Sequence, residues 1–446
     1  MRGRVHGRVD IGEDGVNMKQ KLYTAIRTLY ASKRGFPNVC VLKVEMKDKV
    51  DGEMLNRAAE QTMKRYPYFC VELKKEDGAD YFVDNPRPVR VVHGREGVPL
   101  NSEESGFHFL EFYWYDNDIC LEFSHALTDG AGAYELMRTL LYCYCREYYG
   151  EDISPEGIRT LRDEIPLQEW EDAAAGFGTE PPAGHTDGGG AIRDALNLKE
   201  ALGDRDDDRK TLYGLSIDEE EFMRFNRSND GSPGVMTALL LSRAIARVYP
   251  KAADPIRISL CVNMRKALGI PLAHQSIIGG AWLEYKDKMR LWPIGKQSAA
   301  YRGMVLAQTR EEVLVDAQIS MNRQSEEMIA LSSDEERALY ASDGSDSLKK
   351  ALTATVSYVG KSDFGEMEKH ISSIHGYAYA MNESLLIEVS AVSKRIFIEF
   401  IQNFSSSVYA EAFQKELEEN GIRYAAEPAK DFRLAPICHE WLEGGD

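Results

Sequence analysis

The stretch of sequence best suited to chemistry is Glu122–Gly130, which reads EFSHALTDG. It places His125 at the end of a strand-like segment and Asp129 four residues later. An imidazole, with an unperturbed pKa of about 6.5, can take up and return a proton near neutral pH, so His125 is a candidate general base. Thr128 or Asp129 suits the N-cap of a following helix, and Gly130 allows a tight turn into it. The spacing predicts a histidine at a strand end, beside a helix N-terminus.

Two plainer interpretations compete with a catalytic role for this segment. A single histidine is usually a structural residue whose hydrogen bonds are satisfied. His125 and Asp129 could share a metal ion, but such a site needs a third ligand, and the sequence has no HExxH pattern. We therefore predict no metal site. We also do not expect Ser124 to be an acyl nucleophile, because adjacent strand residues point to opposite faces and it should not pair readily with His125.

Both halves of the chain alternate predicted strands with predicted helices. The apolar residues Leu55, Ala58 and Met63 fall at helical spacing, and an Asp-Asn-Asp turn separates two strand-like segments as in a β-hairpin. In the first half we predict a strand at Val39–Met46, a helix at Gly52–Tyr66, a hairpin of His108–Tyr115 with Ile119–Phe123, and a helix at Gly130–Tyr149. In the second half we predict helices at Val235–Tyr249 and Val408–Glu419 and strands at Ile256–Val262, Ala281–Tyr285, Ala354–Tyr358, Tyr377–Met381, Leu385–Val392 and Arg395–Ile401.

The segment 171–210 differs in composition from the rest of the chain. It contains a Gly-Gly-Gly run, a Pro-Pro pair and an Asp-Asp-Asp run, with few large apolar residues. Such a composition is typical of a linker or mobile crossover. We therefore predict an N-terminal subdomain at 19–170 and a C-terminal subdomain at 211–446, preceded by a disordered extension at 1–18. This division agrees with a length of 446 residues, which suggests roughly two to three domains.

Charge and composition exclude several classes of protein. The 54 Lys and Arg residues against 72 Asp and Glu give a net charge of −18, which argues against a nucleic-acid partner. Hydrophobic residues make up 43% of the chain, enough for a sizeable core. Apolar runs are too short to span a bilayer, and no apolar run follows the basic amino terminus as in a secretory signal. We expect a cytoplasmic protein, with its seven cysteines reduced.

The segment around His125 resembles the HHxxxDG motif of the chloramphenicol acetyltransferase-like, CoA-dependent acyltransferase superfamily. That superfamily includes condensation domains of nonribosomal peptide synthetases, polyketide-associated acyltransferases and alcohol O-acetyltransferases. His125, Asp129 and Gly130 stand in register with the motif, whereas Ser124 occupies the position of the first histidine. The first histidine is not essential across the superfamily, so Ser124 does not by itself indicate an inactive enzyme.

Further landmarks follow in the order that the resemblance implies. Arg65-Tyr66-Pro67 ends a segment similar to the early helix of the family, and Ser259–Arg265 is similar to its "vNxR" strand. Ile277–Gly280 follows at about the expected interval. Thr355–Gly360 is similar to the "sNxG" segment, with Tyr358 where asparagine is commoner. The resemblance thus extends from Lys19 to Ile422, over most of the chain.

The resemblance implies a fold and a role for each matching residue. The fold is mixed α/β, with two chloramphenicol acetyltransferase-like subdomains arranged as a pseudo-dimer around a central tunnel. His125 would be the catalytic base. Asp129 would pair with Arg265 and, together with Gly130, support the loop that carries His125. The candidates for an oxyanion or tunnel role are Ser124, Asn263, Ser357 and Tyr358.

The resemblance favours an enzyme that moves an acyl group, acetyl in the first instance, from a CoA thioester to a small-molecule hydroxyl or amine. Acyl-CoA would be a co-substrate, no bound cofactor is expected, and two subdomains in one chain favour a monomer. One alternative takes the acyl group from a phosphopantetheinyl carrier protein. Another is a non-catalytic binding protein on the same scaffold, which Ser124 and Tyr358 motivate.

Overall fold

The computed structural model describes residues 10–12, 15–17, 19–33, 36–180, 192–203, 210–361, 363–379 and 385–439. These residues form a mixed α/β structure with two large sheets. The strands are β1 Asp10–Gly12, β2 Gly15–Asn17, β3 Lys19–Lys21, β4 Val39–Met46, β5 Val71–Glu76, β6 Ala79–Asp84, β7 Val91–His93, β8 Leu110–Tyr115, β9 Asp118–Ser124, β10 Thr211–Asp218, β11 Ile256–Asn263, β12 Ile278–Tyr285, β13 Ala354–Tyr358, β14 Ile371–Ala378, β15 Leu385–Val392, β16 Arg395–Gln402, β17 Tyr424–Ala426 and β18 Lys430–Asp431. The α-helices are α1 Ile26–Tyr30, α2 Gly52–Arg65, α3 Gly130–Tyr149, α4 Leu167–Trp170, α5 Leu198–Leu202, α6 Glu219–Ser228, α7 Pro233–Val248, α8 Ile294–Gln308, α9 Glu311–Ile329, α10 Asp334–Ala351 and α11 Val408–Glu419.

The first large sheet has five strands in the order β14-β4-β9-β8-β7. The predicted hairpin is present as β8 and β9, which pair antiparallel. Helices α2 and α3 pack together and contribute to the core around this sheet. In α2, Leu55, Ala58 and Met63 are buried as their spacing predicts, and Asp51 caps the helix by accepting hydrogen bonds from two backbone N–H groups.

The second large sheet has eight strands, with β12-β11-β13-β15-β16-β10-β17 in order and β18 also paired to β10. The pairs β11–β13 and β13–β15 are parallel, and the other pairs are antiparallel. Helices α7 and α11 pack against each other and contribute to the core around this sheet. Nearly all the buried residues of α7 are apolar. The ends of β11 and β13 line the same cavity as His125, which follows β9 of the first sheet.

The two parts of the chain on either side of 171–210 share one sheet. Strand β14 lies far beyond this segment in the sequence but pairs antiparallel with β4, from Ile371 opposite Met46 to Ala378 opposite Cys40. The predicted strand Tyr377–Met381 is therefore placed too late, because the observed strand begins at Ile371. Its last two residues lie outside the described part. The division at 171–210 does not separate the sheets cleanly.

The described parts of 171–210, which are residues 171–180 and 192–203, are folded against the rest of the protein. Ala173–Phe177 forms a 3-10 helix capped by Asp172, whose carboxylate also accepts hydrogen bonds from the N–H and hydroxyl of Thr24. Ala174 is fully buried. Residues 181–191 and 204–209 lie outside the described part, as does most of the predicted extension 1–18, of which β1 and β2 pair with each other. No helix among the described residues is long and apolar enough to cross a bilayer.

Candidate active site

A cavity of about 1110 Å³ is lined by residues from both large sheets. The first sheet contributes residues of β4, β9 and β14, and the second contributes residues of β11, β12, β13 and β15. Helices α1, α3, α9 and α10 complete its walls. Of the residues singled out from the sequence, those that line it are His125, Asp129, Gly130, Asn263, Arg265, Ser357 and Tyr358. The volume is sufficient for a ligand of drug size or larger.

His125 follows the last residue of β9, and its backbone N–H donates a hydrogen bond of 2.9 Å to the carbonyl of Asn38. Its Nδ1 is buried and makes no hydrogen bond to another described residue, whereas Nε2 is not among the buried unpaired atoms, so we take Nε2 as the ring nitrogen that faces the cavity. Burial lowers the pKa of His125, and Arg265 adds to this effect, while Asp129 and the histidine's own backbone oppose it. A neutral imidazole at pH 7 is the form that accepts a proton.

Asp129 is fully buried and is the N-cap of α3. Its Oδ1 accepts hydrogen bonds from the N–H groups of Ala131 at 3.0 Å and Gly132 at 3.2 Å. Its Oδ2 accepts a hydrogen bond of 3.1 Å from the N–H of Ile277, which belongs to the other half of the chain. Both carboxylate oxygens are thus engaged by backbone, and the side chain fixes the start of α3 rather than facing a substrate.

Arg265 completes this arrangement from the second half of the chain. Its Nη2 lies 2.8 Å from Asp129 Oδ1, and both side chains are buried. The guanidinium also donates to the carbonyls of Ala273 at 2.7 Å and Gln275 at 2.6 Å. The ion pair that the resemblance implies is therefore present. Because it is buried, removing one partner would leave an uncompensated charge, a change that typically costs about 3–5 kcal/mol.

The turn between His125 and α3 is packed tightly against the second half of the chain. The hydroxyl of Thr128 donates a hydrogen bond of 2.7 Å to the carbonyl of His274. A Cβ atom on Gly132 would lie 2.1 Å from Thr128 Oγ1 and 3.1 Å from that same carbonyl. On Gly130 it would lie 2.9 Å from a methyl group of Val359. Glycine at these two positions permits the close approach that holds the His125 loop in place.

Ser124 does not line the cavity among the described residues. It is buried, and its Oγ accepts a hydrogen bond of 3.2 Å from the N–H of Ala126. Its carbonyl accepts a hydrogen bond of 2.9 Å from the N–H of Leu127. Ser124 therefore stabilises the turn after β9, and the structure gives it no tunnel position, since the residue next to His125 on the strand points to the other face.

The other three candidates lie at the cavity wall formed by the second sheet. Asn263, at the end of β11, accepts hydrogen bonds through Oδ1 from the backbone N–H of Arg265 at 3.1 Å and from its Nη1 at 3.3 Å. Ser357 and Tyr358 are the last residues of β13, and burial raises the pKa of the Tyr358 phenol. Their hydroxyls are the candidate donors to a ligand oxygen.

Sequence reasoning missed Glu388, a carboxyl group of β15 that lines the same cavity. It lies beside Ser357 in the parallel β13–β15 pair, and it contacts the Ser357 hydroxyl. Burial raises the pKa of Glu388 to about 7, and the contact with Ser357 opposes this shift. A single glutamate within the apolar run LLIEVSAV was the signal available in the sequence, since a charge in a buried strand needs a reason.

The described residues contain no group of three or more His, Cys, Asp or Glu side chains that could hold a metal ion. Cys40 also lines the cavity, and burial raises the pKa of its thiol. The thiol therefore stays protonated at neutral pH and is not an activated nucleophile. His125 and Glu388 also line the cavity, and a neutral imidazole or a carboxylate there is able to accept a proton.

No protein-family model and no curated protein matches this sequence, but solved structures match its fold. TRI101 of F. graminearum, complexed with coenzyme A and T-2 mycotoxin, is similar with a TM-score of 0.60 at 9% identity, over 91% of this chain and 99% of that one. The condensation domain of the monacolin K polyketide synthase MokA gives 0.57 at 10% identity, over 93% and 97%. Polyketide synthase associated protein 5 from Mycobacterium tuberculosis gives 0.56 at 12% identity, over 90% and 96%.

These matches cover nearly the whole length of each chain, so the likeness is one of complete folds. The chain has the mixed α/β fold of the chloramphenicol acetyltransferase-like and condensation-domain proteins, and the fold predicted from its motifs is confirmed. At 9 to 12% identity the likeness describes architecture. The chemistry has to be argued from the cavity itself.

Proposed function

We propose that this protein is an acyltransferase that moves an acyl group from a CoA thioester to a hydroxyl or amine, with His125 as the general base. The observation that carries the proposal is the position of His125, a neutral imidazole on the wall of a large cavity between two sheets. Its loop is held by the buried pair of Asp129 and Arg265. The coenzyme A complexes of TRI101 on the same fold support a CoA thioester as donor.

In the proposed reaction, Nε2 of His125 removes the proton from the acceptor O–H or N–H as that atom attacks the thioester carbonyl carbon. The carbonyl oxygen becomes an oxyanion, for which the hydroxyls of Ser357 and Tyr358 are the candidate donors. The intermediate then collapses by breaking the carbon–sulfur bond, and the imidazolium returns its proton to the CoA thiolate. The products are the acylated acceptor and free CoA, and the histidine is restored. Acetyl is the acyl group that we propose to test first.

The test is release of free CoA from acetyl-CoA in the presence of a panel of alcohols and amines. His125→Ala should lower the rate by about 10²-fold or more, the range expected for a positioned base. His93→Ala is the matched control, because His93 is exposed on β7 and does not line the cavity. It should leave the rate unchanged. Turnover that survives in a folded His125→Ala variant would contradict the proposal.

A second candidate donor is an acyl group on a phosphopantetheinyl carrier protein. The structural similarity to the MokA condensation domain favours a carrier-protein donor. The same assay run with carrier-loaded acyl groups separates the two donors, since both reactions need His125 but only one accepts free acyl-CoA. Absence of transfer from either donor in the wild type, with any acceptor of the panel, would instead favour a non-catalytic binding protein on this scaffold.

A further inference from the structure

The part of the cavity between α1, α9 and α10 contains a half-buried arginine. Arg27, in α1, lines the cavity there, and its Nε atom is buried with no hydrogen-bond partner among the described residues. Among the residues that the structure describes, no carboxylate forms an ion pair with Arg27. By contrast, the four arginines that are buried among the described residues each contact a carboxylate, in the pairs Arg65–Glu169, Arg257–Glu284, Arg265–Asp129 and Arg337–Asp334.

The carboxylate with the largest electrostatic effect on Arg27 is that of Asp172, which already accepts hydrogen bonds from other groups. It accepts hydrogen bonds from the N–H of Thr24 at 2.8 Å, from the Thr24 hydroxyl at 2.6 Å and from the N–H of Ala175 at 3.3 Å. Burial lowers the pKa of Arg27 to about 10, and Asp172 and Tyr340 only partly offset this shift. Arg27 is thus cationic at neutral pH, and no carboxylate among the described residues lies within ion-pair distance of it, which leaves its charge available to an anion in the cavity.

The position of Arg27 connects it to the candidate base. The carbonyl of the next residue, Thr28, accepts a hydrogen bond of 2.7 Å from the Asn38 side chain. The carbonyl of Asn38 in turn accepts the backbone N–H of His125 at 2.9 Å. Two hydrogen bonds therefore join α1 to the catalytic segment. A group bound at Arg27 would therefore lie in the same cavity as His125.

We propose that Arg27 binds an anionic group, a carboxylate or a phosphate, carried by the acyl chain or by the acceptor. The proposal rests on the acyltransferase function proposed above and assigns a substrate class to the same cavity. A guanidinium binds such oxyanions through parallel N–H donors, which gives both strength and orientation. The rest of this arm of the cavity suits a short chain that ends in such a group, since its walls are mostly apolar or uncharged: Ala31, Met321, Gln324, Met328 and Tyr340. Asp343, which is exposed, is the acidic residue at the same wall.

The first arm of the experiment tests an anion on the acyl chain. Calorimetric titration compares succinyl-CoA with butyryl-CoA, which differ in a terminal carboxylate, on wild type and on Arg27→Gln, Arg27→Lys and Arg224→Gln. Arg224 is exposed on α6 and outside the cavity, so Arg224→Gln is the matched loss of one positive charge. The second arm tests an anion on the acceptor by comparing lactate with lactamide, and glycerol phosphate with glycerol.

In at least one of these pairs the wild type should bind the anionic member more tightly. Arg27→Gln should lower the affinity for the anionic member by about tenfold or more, the loss expected for a charge-assisted hydrogen bond. The affinity for the neutral member should not change. Arg27→Lys should keep part of the preference, and Arg224→Gln all of it. The pair that responds identifies whether the acyl chain or the acceptor carries the anion.

Three results would overturn the assignment. One is a wild type that prefers the anionic member in none of the pairs. Another is an equal loss for both members in Arg27→Gln, which indicates a structural role. The third concerns the affinities of CoA and dephospho-CoA, titrated in the same way. If Arg27→Gln removes the difference between these two affinities and changes no other pair, the anion that Arg27 binds is on the nucleotide. Because these are binding measurements without turnover, they stand apart from the His125→Ala assay, whose failure would refute the reaction but not the anion site.

Discussion

At the scale of single residues, the environment of His125 determines the pH range in which it can act as a base. Burial lowers its pKa, so the ring loses its proton at a lower pH than an exposed histidine, for which the value is about 6.5. A general base works only in its unprotonated form. We therefore expect kcat/KM to be constant through neutral pH and to fall only at pH values below about 6.5, by tenfold per pH unit.

The measurement is a pH profile of kcat/KM with the acceptor that gives the highest rate of CoA release. The free energy of unfolding is followed at the same pH values, so that acid unfolding is not taken for titration of the base. An acid limb centred above pH 7 would contradict the assignment. In that case the titrating group would be one whose pKa burial raises to near neutrality, and Glu388 is a cavity carboxyl group with a pKa of about 7.

These residues could be predicted from the sequence only where a motif along the chain marks them. The motif HxxxDG indicated His125 and Asp129, and the strand similar to "vNxR" indicated Arg265. The structure brings the loop and this strand together in one compact arrangement. Glu388 and Arg27 were not predicted. They matter only because two sheets and α1 face the same cavity, and no spacing along the chain reports that.

At the scale of elements, the start of α3 is limited by space rather than by helix propensity. A methyl group on Gly132 would meet Thr128 Oγ1 and the backbone carbonyl of His274, which cannot retreat as a flexible side chain does. Gly132→Ala should therefore destabilise the protein by about 1–3 kcal/mol through overpacking, and lower acyl transfer by moving the His125 loop. Thermal or denaturant unfolding together with the CoA-release rate measures both effects.

The matched control is Gly303→Ala in α8. Gly303 also lies inside a helix, but a Cβ atom there would meet nothing within 4 Å. Replacing an unconstrained helical glycine with alanine should stabilise the protein by about 0.5–1 kcal/mol, because alanine has the higher helix propensity. The two variants thus shift stability in opposite directions. If Gly132→Ala were as stable as Gly303→Ala, the close packing at α3 would not constrain the loop.

Elements with a clear hydrophobic period were predicted with the observed bounds, as β4, α3, β13, β15 and α11 show. The helices α8 to α10 were not predicted. Their buried faces include polar residues, among them Gln297, Gln318 and Asn322, which are almost fully buried. Asn322 donates to the carbonyls of Ala174 and Gly178 at 3.0 Å each. A helix that packs through hydrogen bonds to loops lacks the apolar stripe from which helices are recognised in a sequence.

At the scale of the whole molecule, the two parts of the chain on either side of 171–210 share a sheet. Strand β14 pairs with β4 across more than three hundred residues of sequence. Ile371 and Ile374 of β14, and Phe364 and Met367 just before it, are fully buried in the first core. The composition of 171–210 suggested a domain boundary because runs of Gly, Pro and Asp with few large apolar residues are a local property of the chain. Pairing between distant strands leaves no such local signal, so the shared sheet could not be predicted.

This shared sheet predicts how fragments of the protein behave. A fragment of residues 19–170 would lose those four apolar side chains and expose the edge of β4. Burying each such side chain is worth about 1.5–3 kcal/mol, so the loss is roughly 6–12 kcal/mol, comparable to the whole stability of a typical domain. We expect 19–170 to aggregate or remain unfolded alone, and to form a folded complex when co-expressed with 171–446, because strand pairing does not need the peptide bond between them. Near-UV circular dichroism and size-exclusion chromatography distinguish these states. A cooperative thermal transition for 19–170 alone would mean that β14 adds to a sheet that is already stable, and that the first half is a domain in its own right.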